Sequence, residues 1–233
     1  MFRLLEKAPL PPAIIASLRN GVVPKRDEIG TYLFADIVGF TAFSSRISAK
    51  MLVKILNSLF VACDEQAVAT GVTKVKTLGD CYVAAAGILG ETSGGDNEGG
   101  HAGKVCKFAL RLHDVMRDLN EEHGLSPKLY WRIGVHTGSC IGGVIGSKKF
   151  VYDLWGSAVT RANKMEERGK PGMVRLGSVF ACAHVDECVT FSPGVRVTSF
   201  FPLSALSRRS TFRKSRTSAA ASCLSGKRRS SSM

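Results

Sequence analysis

The sequence predicts an α+β domain of the ferredoxin-like, split βαβ type, in which strands and helices follow one another in the order βαββαβ. Two long stretches with apolar residues at i, i+3 and i+4 spacing indicate amphipathic helices. Short β-branched and aromatic runs indicate strands, and two of these runs flank the tight link Leu78-Gly79-Asp80, which predicts a hairpin. The 233 residues, 45% of them hydrophobic and 22% charged, are sufficient for one sizeable core.

Each predicted element has a local signal in the sequence. The long helices have one apolar face and end at glycine, at Gly71 and Gly124, and prolines supply the first turn of the most N-terminal helix. The strands are apolar runs bounded by turn residues, and the pattern becomes weak after residue 185. In chain order the predictions are a helix over 9–21, a strand over 31–37, a helix over 48–70, strands over 72–77 and 81–86, a Gly-rich loop over 90–100, a helix over 101–123, strands over 129–137, 140–146 and 150–155, a helix over 156–168 and a strand over 173–176.

The net charge of +13 belongs mostly to the C-terminal end of the chain. Eight basic residues and no acid lie beyond residue 204, in a Ser- and Arg-rich segment. This composition predicts a disordered tail, to which we assign residues 191–233, while residues 1–27 are assigned to an N-terminal linker helix. Because the charge lies in the tail, no specific nucleic-acid partner is expected for the core.

The bulk sequence also restricts the class of protein. No apolar run approaches the roughly 20 residues that a membrane-spanning helix needs, so no transmembrane segment is expected in this chain. The seven cysteines lack the Cys-x-x-Cys spacing that is typical of a structural metal site. We therefore expect a domain that works in the cytoplasm.

Two carboxylates occupy notable positions in the predicted topology. Asp36 ends the strand 31–37, just before Gly39, and Asp80 lies at the tip of the predicted hairpin. The split βαβ topology brings the end of its first strand beside the hairpin between its second and third strands. Two carboxylates there, together with substrate phosphates, are what a two-Mg²⁺ phosphoryl-transfer site requires. The alternative is a solvated Asp at a strand exit and an ordinary turn Asp.

Four separated motifs follow one another in the order of the predicted elements: Phe-Ala-Asp-Ile-Val-Gly-Phe-Thr (34–41), Lys-Thr-Leu-Gly-Asp-Cys-Tyr (76–82), Arg-Ile-Gly-Val-His-Thr-Gly (132–138) and Tyr-Asp-Leu-Trp-Gly (152–156). Together they resemble the catalytic domain of class III nucleotidyl cyclases, over about residues 28–180. The resemblance implies a palm-type cyclase fold, a catalytic domain over 28–190, and formation of a 3′,5′-cyclic nucleotide with release of pyrophosphate.

The resemblance implies a role for most residues of these motifs. Asp36 and Asp80 would bind two Mg²⁺ ions, which Mn²⁺ can replace, with help from the carbonyl of Ile37. Arg132 would contact a phosphate, although a strand-edge charge is the simpler reading of that residue. The implied substrate-binding residues are Gly39, Phe40, Thr41, Lys76, Leu78, Gly79, Arg132, Asp153, Leu154 and Trp155.

The resemblance also favours ATP over GTP as the substrate. Lys76 and Asp153 match the pair with which the family reads adenine, where guanylyl cyclases usually carry Glu and Cys. Adenine offers an acceptor at N1 and a donor at N6, which suit a Lys donor and an Asp acceptor. The alternative for this pair is an exposed cross-strand ion pair that contributes less than about 1 kcal/mol.

Two positions depart from the family pattern. The family's catalytic helix offers an Asn that orients the ribose and, one turn later, an Arg that stabilises the transition state, whereas this chain has Thr160 and Lys164. This departure resembles the first, metal-binding domain of heterodimeric adenylyl cyclases, whose partner domain brings the Asn and the Arg. The resemblance therefore implies a second cyclase domain, in a heterodimer rather than a homodimer, and an upstream membrane or sensor module.

Several alternatives remain open from the sequence. The chain could be half of a guanylate cyclase, or a catalytically weak regulatory domain that binds nucleotide. Polymerase palms and diguanylate cyclases share the split βαβ architecture, but neither accounts for Lys76 with Asp153. A nucleic-acid-binding protein would depend on the basic tail alone.

Overall fold

A central strand, β1, organises a seven-stranded sheet. The computed structural model describes residues 14–16, 25–89, 100–146, 150–177 and 196–199. They belong to the first of two units of the chain, Met1–Ser199, and the second unit lies outside the described residues. In chain order the elements are β1 (Lys25–Ile37), α1 (Phe40–Ser44), α2 (Ala49–Thr70), β2 (Thr73–Leu78), β3 (Cys81–Ala86), α3 (Gly100–Glu122), β4 (Trp131–Ile145), β5 (Val151–Trp155), α4 (Ser157–Glu167), β6 (Met173–Leu176) and β7 (Arg196–Ser199).

The sheet topology confirms the predicted fold class. The strands hydrogen-bond in the order β2-β3-β1-β4-β6-β7, and β5 pairs with β4. β1 is antiparallel to both β3 and β4, and β2 and β3 form the predicted hairpin. The four strands β2-β3-β1-β4, with α2 and α3 as the connecting helices, are therefore the βαββαβ arrangement expected from the sequence.

β4 is a single strand of 15 residues, and the sequence was wrong to predict two strands, over 129–137 and 140–146. It pairs with β1 without interruption along the full 13 residues of β1. Gly138 interrupts the apolar pattern, yet a Cβ at this position would come within 2.9 Å of the Cβ of Ala158 on α4. The glycine therefore permits the close approach of a helix and does not end the strand.

The helix α2 lies where the sequence predicted it, with its predicted end at Gly71, and capping residues set both of its ends. The hydroxyl of Ser48 accepts a hydrogen bond from the backbone N–H of Met51 at 3.3 Å. Gly71 ends the helix with a φ of 66°, a left-handed conformation that glycine adopts without steric cost. The short helix α1 and the strand β7 were not predicted. Of the predicted helix over 9–21, the described residues 14–16 are helical, and the rest lies outside the described residues.

The two faces of β1 pack against different layers. Tyr32 and Phe34 lie in a cluster of buried residues that we call the α4-side core. Because side chains alternate along a strand, Leu33 and Ala35 lie on the opposite face, where both are fully buried. The α4-side core contains Ile14, Tyr32, Phe34, Val75, Val83, Ala85, Ile88, Cys140, Tyr152, Leu154, Ala158 and Ala162.

The sheet curls so that β5, which pairs with β4, meets β2 at one end of the strand order. Val75 on β2 and Tyr152 on β5 belong to the same α4-side core, although β3, β1 and β4 separate their strands along the sheet. This curl follows from the accumulated twist of long antiparallel strands. It brings β5 across the face of the sheet and next to β2. Within the described ranges, no helix combines the length and the apolar character needed to cross a membrane.

Candidate active site

Asp36 lies opposite an arginine at the end of the long β1–β4 ladder. Asp36 and Arg132 are register partners, and Nη2 of Arg132 donates to Oδ2 of Asp36 at 3.1 Å. Burial raises the pKa of Asp36, and the charge and hydrogen bond of Arg132 oppose this effect only in part. Asp36 is therefore a partly desolvated carboxylate beside one fixed cation.

The hairpin brings Asp80 to the same place. Gly79, with a φ of 63°, forms the turn between β2 and β3. The Asp80 carboxylate accepts hydrogen bonds from its own backbone N–H and from that of Ile37. Burial and the nearby charge of Asp36 raise the pKa of Asp80, despite these hydrogen bonds. The structure thus brings together the two acids that lie 44 residues apart in the sequence.

A third acid, Glu166, joins this group and was missed in the sequence. Its Oε1 accepts a hydrogen bond from Nε of Arg132 at 2.5 Å, and its side chain is only 6% exposed. Burial raises the pKa of Glu166, and Arg132 partly offsets the shift. The available signal was spacing, because Glu166 follows the small residues Ala158 and Ala162 at four-residue intervals on the buried face of α4.

These groups form what we call the acidic cluster: Asp36, Asp80, Glu166 and Arg132. Although burial lowers the pKa of Arg132, the hydrogen bond and charge of Glu166 and the charge of Asp36 raise it overall. One guanidinium thus contacts two of the three carboxylates, Glu166 and Asp36, and the excess of negative charge in the cluster favours a further cation.

The donor set of the cluster fits Mg²⁺. The described part of the chain has no group of three or more His, Cys, Asp or Glu side chains that could hold a metal ion by themselves. A metal ion at the cluster would therefore need further ligands from water or substrate. Mg²⁺ is commonly held by one or two carboxylates, with water and substrate phosphates as the other ligands. Asp36 and Asp80 supply those two carboxylates, while Glu166 is directed to Arg132. The backbone N–H of Ile37 donates a hydrogen bond to the Asp80 carboxylate, which is the contact that the structure describes between Ile37 and the site.

The predicted phosphate-binding residues follow Asp36 directly. Gly39 has a φ of 73° and caps the five-residue helix α1, in which Phe40 and Thr41 form the first turn. Gly39 and Thr41 are exposed. At the hairpin, Leu78 and Gly79 are also exposed beside Asp80.

The curl of the sheet forms the second predicted contact. Nζ of Lys76 on β2 lies 2.5 Å from Oδ2 of Asp153 on β5, and their side chains are 28% and 26% exposed. The other oxygen of Asp153 accepts the backbone N–H of Leu154 at 2.8 Å. The pair is thus an ion pair, as the alternative reading proposed, but it is partly buried rather than exposed. The Leu154 side chain lies in the α4-side core, whereas Trp155 is 40% exposed.

Thr160 and Lys164 lie apart from the acidic cluster. Both are exposed, and the Thr160 hydroxyl donates at 3.2 Å to the carbonyl of Gly156, the N-cap residue of the same helix. The buried positions of α4 are Ala158, Ala162 and Glu166. Thr160 and Lys164 each lie two residues from the nearest of these positions, and therefore on the other side of the helix. The structure does not bring these two residues to Asp36 and Asp80.

The described chain is therefore a palm-like α+β domain with an acidic cluster at one end of its central strands. Residues 22–191 match the family described as the adenylate and guanylate cyclase catalytic domain. The chain belongs to this family, and it is a class III nucleotidyl cyclase catalytic domain.

Individual relatives include cyclases of both kinds. The chain is 36% identical to guanylate cyclase alpha of Plasmodium falciparum over 146 residues, which cover 63% of this chain and 3% of that protein. It is 35% identical to an adenylate cyclase of Mycobacterium bovis over 158 residues, covering 68% and 34% of the two proteins. The guanylate cyclase domain of RhGC from Catenaria anguillulae, solved in complex with GTP, superposes with a TM-score of 0.61 at 30% identity and covers 68% of this chain and 84% of that one. The chain thus spans only a minor part of these curated relatives.

Proposed function

We propose that this domain converts ATP to 3′,5′-cyclic AMP and pyrophosphate for intracellular signalling. The observation that carries the proposal is the convergence of Asp36 and Asp80 beside Arg132, in a domain of the cyclase family. These are the groups that a triphosphate substrate with metal ions requires.

The proposed roles follow from the positions of the residues. Asp36 and Asp80 hold two Mg²⁺ ions, which when bound would acidify the ribose 3′-hydroxyl and offset the charge of the triphosphate. Arg132 contacts a phosphate, and the backbone of Gly39–Thr41 faces the β- and γ-phosphates. The 3′-oxygen forms a bond to the α-phosphorus as the bond to pyrophosphate breaks in line, and Asp36 or a water takes the 3′-hydroxyl proton.

The preference for ATP is supported by the contact between Lys76 and Asp153. Their heads already lie together in a partly buried position, so the pair presents one donor and one acceptor side by side. Lys76 would donate to N1 of adenine, and Asp153 would accept from the N6 amino group. GTP is the second candidate, because guanylate cyclases are among the relatives and the Catenaria domain was solved with GTP.

A second cyclase domain is part of the proposal. Lys164 keeps a positive charge at the position of the family's Arg but lacks the planar head with several donors, and loss of such a donor can cost about 10²–10³ in rate. Thr160 and Lys164 lie away from the acids of their own chain, which suits a cleft that two domains share. We therefore propose that this chain is the metal-binding half of a heterodimer. A homodimer, or a weakly active regulatory domain, is the alternative.

The place of the domain in a longer protein is also proposed by analogy. Relatives include a receptor-type guanylate cyclase of Caenorhabditis elegans and a membrane guanylyl cyclase of Dictyostelium discoideum. Matches to such proteins favour an upstream sensor or membrane module, with this domain, over about 28–190, on the cytoplasmic side.

Product analysis with ATP, GTP and Mn²⁺ tests the proposal. The wild type, Asp36→Ala and Lys76→Glu are assayed alone and mixed with a cyclase domain that carries the Asn and Arg. We expect cyclic AMP from the wild-type mixture, none from Asp36→Ala, and loss of ATP preference in Lys76→Glu. Lys74→Glu is the matched control, because Lys74 is also on β2 and forms an ion pair with Asp64 at 2.8 Å. Cyclic GMP as the main wild-type product would contradict the choice of ATP.

A further inference from the structure

The hydrogen bonds of Arg132 come from two nitrogens of its guanidinium, which donate to two different acids. Nε donates to Glu166 at 2.5 Å, and Nη2 donates to Asp36 at 3.1 Å. The two acids differ in exposure, because the side chain of Glu166 is 6% exposed whereas those of Asp36 and Arg132 are 24% and 29% exposed. Nε of Arg132 is therefore held by a buried carboxylate, and Nη2 is held by a more exposed one.

The backbone around this pair leaves room for it. A Cβ on Gly169 would lie 2.8 Å from Cγ of Arg132 and 2.9 Å from the carbonyl oxygen of Glu166. A Cβ on Gly134 would lie 2.1 Å from the backbone nitrogen of Glu166. Because Gly169 and Gly134 have no side chain, α4 can pack closely on β4 at Glu166.

We propose that Glu166 is a positioning residue, which holds Arg132 through Nε while Nη2 exchanges Asp36 for a phosphate of the substrate. This inference rests on the proposed function. The Asp36 carboxylate cannot give its full charge both to Arg132 and to a metal ion. When Asp36 takes up a cation, Nη2 of Arg132 loses part of its acceptor, and an anion becomes its best partner. Without Glu166, Arg132 would lose its position when Asp36 binds the cation. The hydrogen bond from Nε to Glu166 prevents this loss.

The test measures nucleotide binding without turnover. The probes are two fluorescent adenine nucleotides blocked at the ribose 3′-hydroxyl, one a triphosphate and one a monophosphate. They are titrated with Mn²⁺ into the full chain mixed with the cyclase domain that carries the Asn and Arg. Glu166→Gln keeps the shape of the side chain and an acceptor oxygen but removes the charge. We expect its affinity for the triphosphate to fall about tenfold, since hydrogen bonds to charged groups are the strong ones, with much less change for the monophosphate. The control Glu167→Gln makes the same charge change at the adjacent exposed position, where Glu167 accepts from Asn163.

A double-mutant cycle separates positioning from general structural damage. If Glu166 acts through Arg132, adding Glu166→Gln to Arg132→Ala should cause no further loss of triphosphate affinity. The same addition should raise the melting temperature, because Arg132→Ala leaves a buried carboxylate without its partner. Two results would overturn the anchoring role alone. In the first, the losses of triphosphate affinity in the two single variants add in the double variant; in the second, Glu166→Gln binds the triphosphate as the wild type does. A wild type that binds neither nucleotide would overturn the proposed function, and this inference with it.

Discussion

The packing of α4 on β4 depends on Gly134, and the substitution Gly134→Ala tests this dependence. The added Cβ would lie 2.1 Å from the nitrogen of Glu166, 2.5 Å from the carbonyl oxygen of Ala162 and 2.7 Å from Cα of Glu166. All three are backbone atoms, so no side chain can rotate to make room. The helix must retreat by about 1 Å or more before these distances reach ordinary contact.

The cost follows from overpacking. Extra carbon atoms in a well-packed interior typically cost about 1–3 kcal/mol, and an obstacle made of backbone places Gly134→Ala at the upper end, near 3 kcal/mol. For a domain of this size, such a loss lowers the melting temperature by about 6–12 °C. The retreat of α4 also lengthens the hydrogen bond between Glu166 and Arg132.

Gly138→Ala provides a matched comparison. Gly138 lies on the same strand and faces the same helix, but its added Cβ would meet only the Cβ of Ala158 within 3 Å, at 2.9 Å. Both substitutions lower the conformational entropy of the unfolded chain by the same amount. The difference between their free energies of unfolding therefore reports the steric clash alone. We expect Gly138→Ala to cost about 1 kcal/mol. Urea denaturation followed by circular dichroism measures both. A Gly134→Ala variant as stable as the wild type, or more stable than Gly138→Ala, would refute this account of the interface.

Two further predictions concern stability. Asn120→Ala should cost about 3 kcal/mol in urea denaturation, because the Asn120 side chain pairs with both the N–H and the carbonyl of buried Leu129 at 2.8 Å. Asn163→Ala, which removes only an exposed hydrogen bond to Glu167, should change stability by less than about 0.5 kcal/mol, and equal effects of the two would contradict this reasoning. Asp80→Asn should stabilise the metal-free protein at pH 7: burial and the charge of Asp36 raise the folded pKa of Asp80, so the wild type loses stability as pH rises through that pKa. Thermal melts from pH 3 to 7 should show this advantage vanish below about pH 4, the ordinary range for Asp, and a variant less stable than the wild type at pH 7 would count against the prediction.

The features that the sequence predicted well are those with local causes. Ser48 and Gly71 set the ends of α2 through groups within four residues of each helix end. The hairpin at Leu78-Gly79-Asp80 also follows from a short turn signal. Because the order of elements was correct, the topology alone predicted that Asp36 and Asp80 would converge.

The features that the sequence did not reveal depend on contacts between distant elements. The continuity of β4 through Gly138 depends on a helix that begins 19 residues later in the chain. The partner of Glu166 is Arg132, 34 residues away, and an acid on a helix gives no sign of being buried until that partner is known. The contact between Lys76 and Asp153 required the curl of the whole sheet, because its members lie 77 positions apart in the sequence.

The uninterrupted ladder between β1 and β4 limits the length changes that this domain can accept. Side chains alternate along a strand, so inserting one residue between Tyr32 and Asp36 would carry the carboxylate through the sheet to its other side. Inserting two would restore the side but shift the acid past Arg132 and away from the hairpin. Homologous domains, and any engineered version, should therefore keep this spacing constant and accommodate insertions in the connections between elements instead.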